Sequence, residues 1–277
     1  MGDPPFTVLL PVYRGDQADF VRQAYRSVTT AQTLPPDNVL IVRDGPVSDD
    51  IEAALCDFET DATTTVLRLP ENVGLASALN AGLAQVRTPI VARADADDVC
   101  LPHRFATQLP IVAGGVDVVG SSIAEFSSDP SQPERVRRAE SDPTRLRQSA
   151  QFECPFFHPT VMFKVDAVQA AGGYRHLALL EDYLLWATMI AGGATVANCA
   201  EVLVHYRVGA GAYDRRGGFG IARSEFALQR QLRRLGLTTR IQFARNVVLR
   251  CGYRLAPTQA RQWLYWRRRR GDGAPLT

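Results

Sequence analysis

Lysine is almost absent from this chain: Lys164 stands alone among 31 basic residues, and the rest are arginine. GC-rich coding accounts for part of that bias, so an arginine here is not by itself a phosphate ligand. The five cysteines, Cys56, Cys100, Cys154, Cys199 and Cys251, are scattered and form no CxxC. An odd, dispersed set argues against a disulfide framework or a zinc site and reads as reduced thiols. Histidine is scarce too, and His103 and His176 read as surface or loop residues. No GxGxxG follows the first apolar run, and GxxxxGK followed by Ser or Thr is found nowhere. A Rossmann dinucleotide site and a Walker-type NTPase are thereby disfavoured. Asp3, Pro4 and Pro5 precede a short first apolar run, so no signal peptide is expected. The longest uncharged stretch, Tyr183 to Ala200, is broken by Gly192, Gly193 and Asn198. It reads as helix, turn and strand, not as a membrane span.

Acid is scarce at one end only. Residues 202–277 hold 16 Arg against Asp214, Glu225 and Asp272, a net of +13, whereas residues 1–201 carry a net of −11. The overall +2 hides this split. An acidic working domain followed by a basic segment suited to an anionic surface is the expectation.

What is present is a chain of 277 residues, 46% hydrophobic, enough for one sizeable core with a small appendage. Apolar β-branched runs at Thr7–Val12, Val39–Val42, Thr65–Leu69 and Ile90–Ala92 alternate with helical patterns at Ala18–Ala31, Asp49–Phe58 and Leu75–Val86. That alternation predicts a doubly wound, mainly parallel mixed α/β sheet with helices on both faces. Further on, Pro102–Val112 and Glu181–Ile190 read as helices, Val116–Gly120 and Thr160–Phe163 as strands, and Ser127–Asp142 as an exposed loop. From Gly218 the pattern is helical and basic, with Pro257 separating two final helices.

Ligands of open parallel sheets bind beyond the carboxyl ends of the strands. Two acidic groups fall there: Asp44 after the second strand, and Asp95, Asp97 and Asp98 after the fourth. Carboxylates gathered at one edge repel unless a cation or a donor-rich ligand neutralises them. Oxygen-rich sites of this kind prefer Mg²⁺ or Mn²⁺, bound through one or two carboxylates plus substrate phosphates. The first strand ends in Pro11-Val12-Tyr13-Arg14, where Tyr13 is placed to stack on a base.

In order along residues 6 to 210, the segments FTVLLPVY, VRDG, ENVGLASALNAGL, ARADADD, HPTVMFK, GGYR, EDYLLW and LVHYRVG resemble the family 2 glycosyltransferases. The resemblance implies a GT-A fold, inverting transfer from a nucleotide sugar, and kinship with bacterial exopolysaccharide-type sugar transferases. It implies that Pro11, Val12 and Tyr13 wall the nucleoside pocket and that Asp44 holds the base. Asn72, Gly74 and Asn80 would pack against the nucleotide, with Arg93 and Asp95 on the sugar-nucleotide, and Asp97 would face a Mn²⁺ or Mg²⁺ ion. Asp182 would be the catalytic base, with Glu181, Trp186 and His158 on the acceptor side. An inverting transfer needs one such carboxylate to take the acceptor proton.

Two departures from the family pattern stand out. Arg43 occupies a position that is often acidic, and Val208-Gly209 follow Tyr206-Arg207 where a metal-binding His is common. Tyr213, Arg215 and Arg216 are candidates to hold the diphosphate instead. QxxRW, the mark of processive relatives, is absent at its usual place, so one sugar per encounter is expected.

The division expected is a catalytic domain over 1–216 and a basic helical extension over 217–277. In the extension Ile241, Ala244, Val247, Val248 and Cys251 recur at helical spacing among Arg240, Arg245, Arg250 and Arg254; Trp263, Tyr265 and Trp266 then precede Arg267 to Arg270. Aromatics beside a basic run suit an anionic membrane surface. The expectation is therefore a cytoplasmic enzyme, peripheral on the inner face of the cytoplasmic membrane. It would take a UDP- or dTDP-sugar and a lipid-linked saccharide acceptor, and would not bind nucleic acid. The rival readings are a sugar-1-phosphate nucleotidyltransferase, which PVYRGDQ fits poorly, and a non-catalytic membrane adaptor on a transferase scaffold.

Overall fold

A computed structural model describes residues 3–209 and 218–256. Its first half follows the apolar runs closely. Strands β1 (Phe6–Tyr13), β2 (Asn38–Asp44), β3 (Thr64–Arg68) and β4 (Ile90–Arg93) alternate with helices α1 (Ala18–Val28), α2 (Asp49–Phe58) and α3 (Leu75–Leu83). The strands pair in parallel in the order β3-β2-β1-β4. Because side chains alternate across a strand, each one feeds two cores. Val8, Leu10 and Ile41 pack with Val21, Tyr25, Ile51 and Phe58 of α1 and α2. Leu9, Leu40 and Val42 point the other way, onto Leu79 and Leu83 of α3.

The second half is mixed. Strand β5 (Val99–Cys100) and helix α4 (Arg104–Ala113) lead into β6 (Val118–Phe126) and β7 (Arg135–Arg137). Helix α5 (Pro143–Ser149), a tight turn at His158–Thr160, β8 (Met162–Lys164), α6 (Val165–Ala170), α7 (Glu181–Ala191) and β9 (Val196–Arg207) follow. The three-residue β8 runs antiparallel between β4 and β6, while β6 and β9 pair in parallel over most of their length. The longest pairings are thus parallel, as expected.

Two expectations are corrected. Strand β6 continues past Gly120 because its polar Ser122 is satisfied in place, its hydroxyl donating to the Ala200 carbonyl at 2.8 Å. The stretch 127–142 is not loop throughout: β7 pairs with β6, and its Arg137 reaches the buried Glu125 at 3.3 Å.

Beyond the sheet, α8 (Phe219–Arg234), α9 (Arg240–Asn246), a wider-wound turn at Val247–Cys251 and α10 (Gly252–Leu255) form the basic segment. Leu228 and Leu232 of α8 pack on Leu180, just ahead of α7, and on Tyr183, Leu184 and Ala187 of α7. The apolar stripe does not face that core: Ile241 and Val248 are 83% and 72% exposed, and the fully buried residue of α9 is Asn246. Its amide donates to the Gln151 carbonyl at 2.8 Å and to Gln229 at 3.1 Å. No helix among the described residues is long and apolar enough to cross a membrane. Pro257 and the Trp263–Arg270 cluster lie outside the described residues, as do Tyr213, Arg215 and Arg216.

Candidate active site

At the carboxyl ends of β1 and β2, Tyr13 and Asp44 stand side by side in register. Tyr13 is 40% exposed and open to a planar ligand, whereas Val12 is buried in the core and Pro11 is half-buried. Asp44 is buried and already engaged. Its carboxylate accepts from Val73 N at 2.7 Å, Asn72 Nδ2 at 3.0 Å and Gly74 N at 3.1 Å. Gly45 makes this possible: it sits at φ +79°, and a Cβ there would come within 2.5 Å of Asn72 N. Asp44, Asn72 and Gly74 therefore form one knot that starts α3. Asn80 is committed elsewhere, donating to the Tyr174 carbonyl at 2.7 Å and accepting from Tyr174 N at 2.9 Å. Arg43 turns away onto Glu52 at 3.2 Å.

After β4 the chain gathers Asp95, Asp97 and Asp98, with one carboxylate oxygen from each within 4.8 Å of the others. Arg93 contacts Asp95 directly and is wholly buried, yet its Nε and Nη1 have no partner. Asp98 does not cap α4, whose N-cap is His103. Instead it accepts from Arg207 N at 2.8 Å, and its buried Oδ2 is unpaired. The Arg207 guanidinium donates to the Asp97 carbonyl at 2.8 Å and to Gln23 at 2.7 Å, between the rings of Phe20 and Phe126. Burial, then Asp95, pushes Asp97 up to about 6, and burial chiefly drives Asp98 well above its ordinary value. Asp16, beyond β1, is raised to about 7 by burial, with Asp97 and Asp95 adding to it.

A cavity of about 1120 Å³ joins Arg93 and Asp95 to the start of α7. Of the expected acceptor residues His158 and Glu181 line it, beside Asp182, the expected base, and Trp186 does not. Trp186 is wholly buried behind the wall, edge-on to Phe156, His158 and Tyr174, because its place on α7 turns it into the core. The expected stacking face for a sugar is therefore not there. His158 bonds the Tyr174 hydroxyl at 3.0 Å, and burial beside Arg93 keeps it neutral. Asp182 accepts from Tyr183 N at 2.7 Å and lies 3.6 Å from the Cys154 thiol. Burial, then Glu181, raises Asp182 to about 6. The residue that leads into this turn, Leu179, holds φ at +62°, a conformation that costs a non-glycine residue roughly 1 kcal/mol or more.

This layout can be set beside known proteins. Residues 7–170 match the glycosyl transferase family 2 profile. The chain belongs to glycosyl transferase family 2. It is 34% identical over 266 residues to the amylovoran biosynthesis glycosyltransferase AmsE of Erwinia amylovora, covering 96% of this chain and 100% of that one. It is 33% identical over 264 residues to the UDP-Gal:alpha-D-GlcNAc-diphosphoundecaprenol beta-1,3-galactosyltransferase of Escherichia coli, covering 95% of each. The mannosyltransferase PcManGT of Pyrobaculum calidifontis, solved with GDP-Man and Mn²⁺, superposes with a TM-score of 0.63 at 20% identity, over 94% of this chain and 74% of that one. That likeness establishes the GT-A fold. None of these findings favours a nucleotidyltransferase or an adaptor.

The residues of this transferase fit a divalent cation: three carboxylates converge, and a buried oxygen of Asp98 lacks any donor. Three contributors escaped the sequence reading. Asp16 sits only three residues past the end of β1, in a stretch that reads as plain turn. Arg207 served there as a landmark for an absent His, although its own donors hold the acidic turn. Cys154 carried no motif at all.

Proposed function

We propose that this transferase moves a single sugar, with inversion, from a UDP- or dTDP-sugar to a hydroxyl of a lipid-linked saccharide in cell-envelope or exopolysaccharide synthesis. The observation that carries this reading is the single cavity shared by Asp95 and Asp182. One wall carries the acidic turn for the donor diphosphate, and another carries a carboxylate raised to about 6, suited to accept a proton near neutrality. The acceptor hydroxyl gives its proton to Asp182 as its oxygen attacks the anomeric carbon. The bond from that carbon to the diphosphate oxygen breaks, and the nucleoside diphosphate leaves with the electron pair. Asp95, Asp97 and Asp98 would hold a Mn²⁺ or Mg²⁺ ion, whose charge offsets that of the leaving group. Arg93 offers two unpaired, buried donors beside the same turn, toward the donor sugar or its phosphates. Tyr13 offers a face for the base. Asp44, Asn72, Gly74 and Asn80 act one step back, by shaping the loops around it.

The names of the bacterial relatives support the polysaccharide and lipid-linked context. We read residues 1–216 as the catalytic domain and 217–277 as an extension that rests on the membrane surface. Exposed Ile241, Val248, Leu249 and Leu255 among arginines support that placement. The test is thermal stability with UDP, TDP and GDP, with and without Mn²⁺, followed by transfer assays. A nucleotide shift that needs the metal, survives in Asp182→Asn and accompanies a kcat loss of roughly 10²–10⁴-fold in that variant is expected. Absence of any nucleotide shift would end the reading.

A further inference from the structure

Just past α5, residues 150–154 belong to no helix or strand, yet Phe152 and Cys154 form part of the cavity wall. The amides turn back onto α5: Phe152 N and Glu153 N both donate to the Ser149 carbonyl at 2.8 Å. The carbonyls have no strand to pair with, and buried carbonyls need donors. Three successive ones each accept from a side chain of a different element. Tyr183 Oη of α7 donates to the Ala150 carbonyl at 3.0 Å, and Asn246 Nδ2 of α9 donates to that of Gln151 at 2.8 Å. Arg250 Nη1, on the wider-wound turn, donates to that of Phe152 at 2.8 Å. These donors are themselves held. Arg250 Nε donates to the buried Glu225 at 2.6 Å, Arg254 shares that carboxylate, and Glu153 adds a second negative charge near Arg250. Asn246 also donates to Gln229, which donates to Glu225 at 3.2 Å. All three donors lie beyond the residues that match the family profile.

The braced segment ends against Asp182. The Cys154 thiol lies 3.3 Å from the Phe156 carbonyl and 3.6 Å from Asp182 Oδ2, while Asp182 Oδ1 accepts from Tyr183 N at 2.7 Å. The carboxylate thus sits between its own helix start and this segment, and a shift of the segment would free one side of it. We infer that Arg250, Asn246 and Tyr183 are positioning residues: they hold residues 150–154 against Asp182 and so fix the direction in which its carboxylate meets the acceptor hydroxyl. The inference rests on the reading of Asp182 as the base and assigns part of that residue's support to the C-terminal segment. Misplacing a reacting group by about 1 Å can cost about 10²-fold in rate. Arg93 and Asp95, on the donor side of the cavity, make no contact with the brace, so donor binding does not depend on it.

The test pairs hydrogen exchange with turnover in the full chain. Turnover is read as UDP released from UDP-glucose or UDP-galactose in Mn²⁺, with water in place of the acceptor hydroxyl. Arg250→Gln should speed exchange of the 151–154 amides at least roughly tenfold. It should lower kcat roughly ten- to a hundredfold and leave KM for the sugar nucleotide unchanged. Arg250→Lys, whose ammonium lacks the fork that spans Glu225 and the Phe152 carbonyl, should recover part of both. Tyr183→Phe keeps the ring in the core and should move both readouts in the same direction by less; it carries the test if Arg250→Gln does not fold. Arg230→Gln, at an exposed position on α8, should move neither. Unchanged exchange in Arg250→Gln and Tyr183→Phe would overturn the brace. Faster exchange at wild-type kcat would overturn the positioning role, and so would a kcat loss matched by a rise in KM. Asp182→Asn separates the two readings: wild-type turnover there removes the base, and the positioning role with it, whatever the exchange shows.

Discussion

The cavity has two charged walls, and their balances are opposite. On the acidic side Arg93 and Asp95 line it, and Asp16, Asp97, Asp98 and Arg207 gather around that Asp95 outside the lining. On the basic side a lone Glu225 is held by Arg250 and Arg254. The acids respond accordingly. Asp16 and Asp97 are raised to about 7 and about 6, whereas Arg250 and Arg254 hold Glu225 below its ordinary value despite complete burial. A fold that stored charge only for its own stability would pair these groups off. On the acidic side carboxylates outnumber guanidiniums, and that excess is complementary to a cation.

Breaking the pairs should expose the contrast, most strongly on the basic wall. Glu225→Ala leaves two guanidiniums facing each other and should cost about 3–5 kcal/mol, read from urea unfolding. The opposite sign is expected on the acidic wall. Asp97→Asn removes a repelling charge and should stabilise the metal-free protein at pH 7 by about 1 kcal/mol, while abolishing the Mn²⁺-dependent nucleotide shift.

The pH dependence sharpens the same point. Asp16 and Asp97 have folded values above the unfolded one, so their contribution is complete below about pH 4 and is lost as pH rises toward 7; Asp98 is raised too and acts in the same direction. Glu225 has a lowered value, so its contribution is present above about 4.5 and is lost on further acidification. Metal-free melting curves should therefore decline from pH 4 to 7 in the wild type, and Asp97→Asn should flatten that decline; a wild-type curve already flat would refute the imbalance. The smallest effect belongs to Asp182, the proposed base. Activity should rise with pH through about 6 as Asp182 ionises. Cys154→Ser, with a stronger donor near Asp182, should move that limb down by a few tenths of a pH unit, measured in kcat profiles.

Much of this was legible in the order of the residues. Continuous apolar runs such as VLLPV and VLIV gave away strands covered on both faces, and β1 to β4 fall within a few residues of expectation. Asp95, Asp97 and Asp182 could be picked as candidates because each stands in a short motif, and the structure places Asp95 and Asp182 on one cavity. Asp16, Arg207 and Cys154 could not, because each earns its role from a partner distant in the chain. Arg207 meets Asp98 across 109 positions, and Cys154 meets Asp182 across 28. Trp186 lies apart for the converse reason: residues 179–183 line the cavity, but the helix that follows carries it into the core behind the wall. Serines in β6 hid a strand, since only the structure shows their hydroxyls satisfied.

The clasp between Arg207 and the acidic turn also sets an order of assembly. Asp97 and Asp98 are synthesised more than a hundred residues before the backbone and guanidinium that tie them down. Asn80 likewise waits across 94 positions for the Tyr174 backbone. A nascent chain that ends just past Asp98 has strands β1 to β4 but holds its repelling carboxylates without Arg207, and it closes the turn only once β9 arrives. The donor half of this enzyme is therefore not a module that could be cut out and kept working; its acidic turn is a late product of the whole sheet.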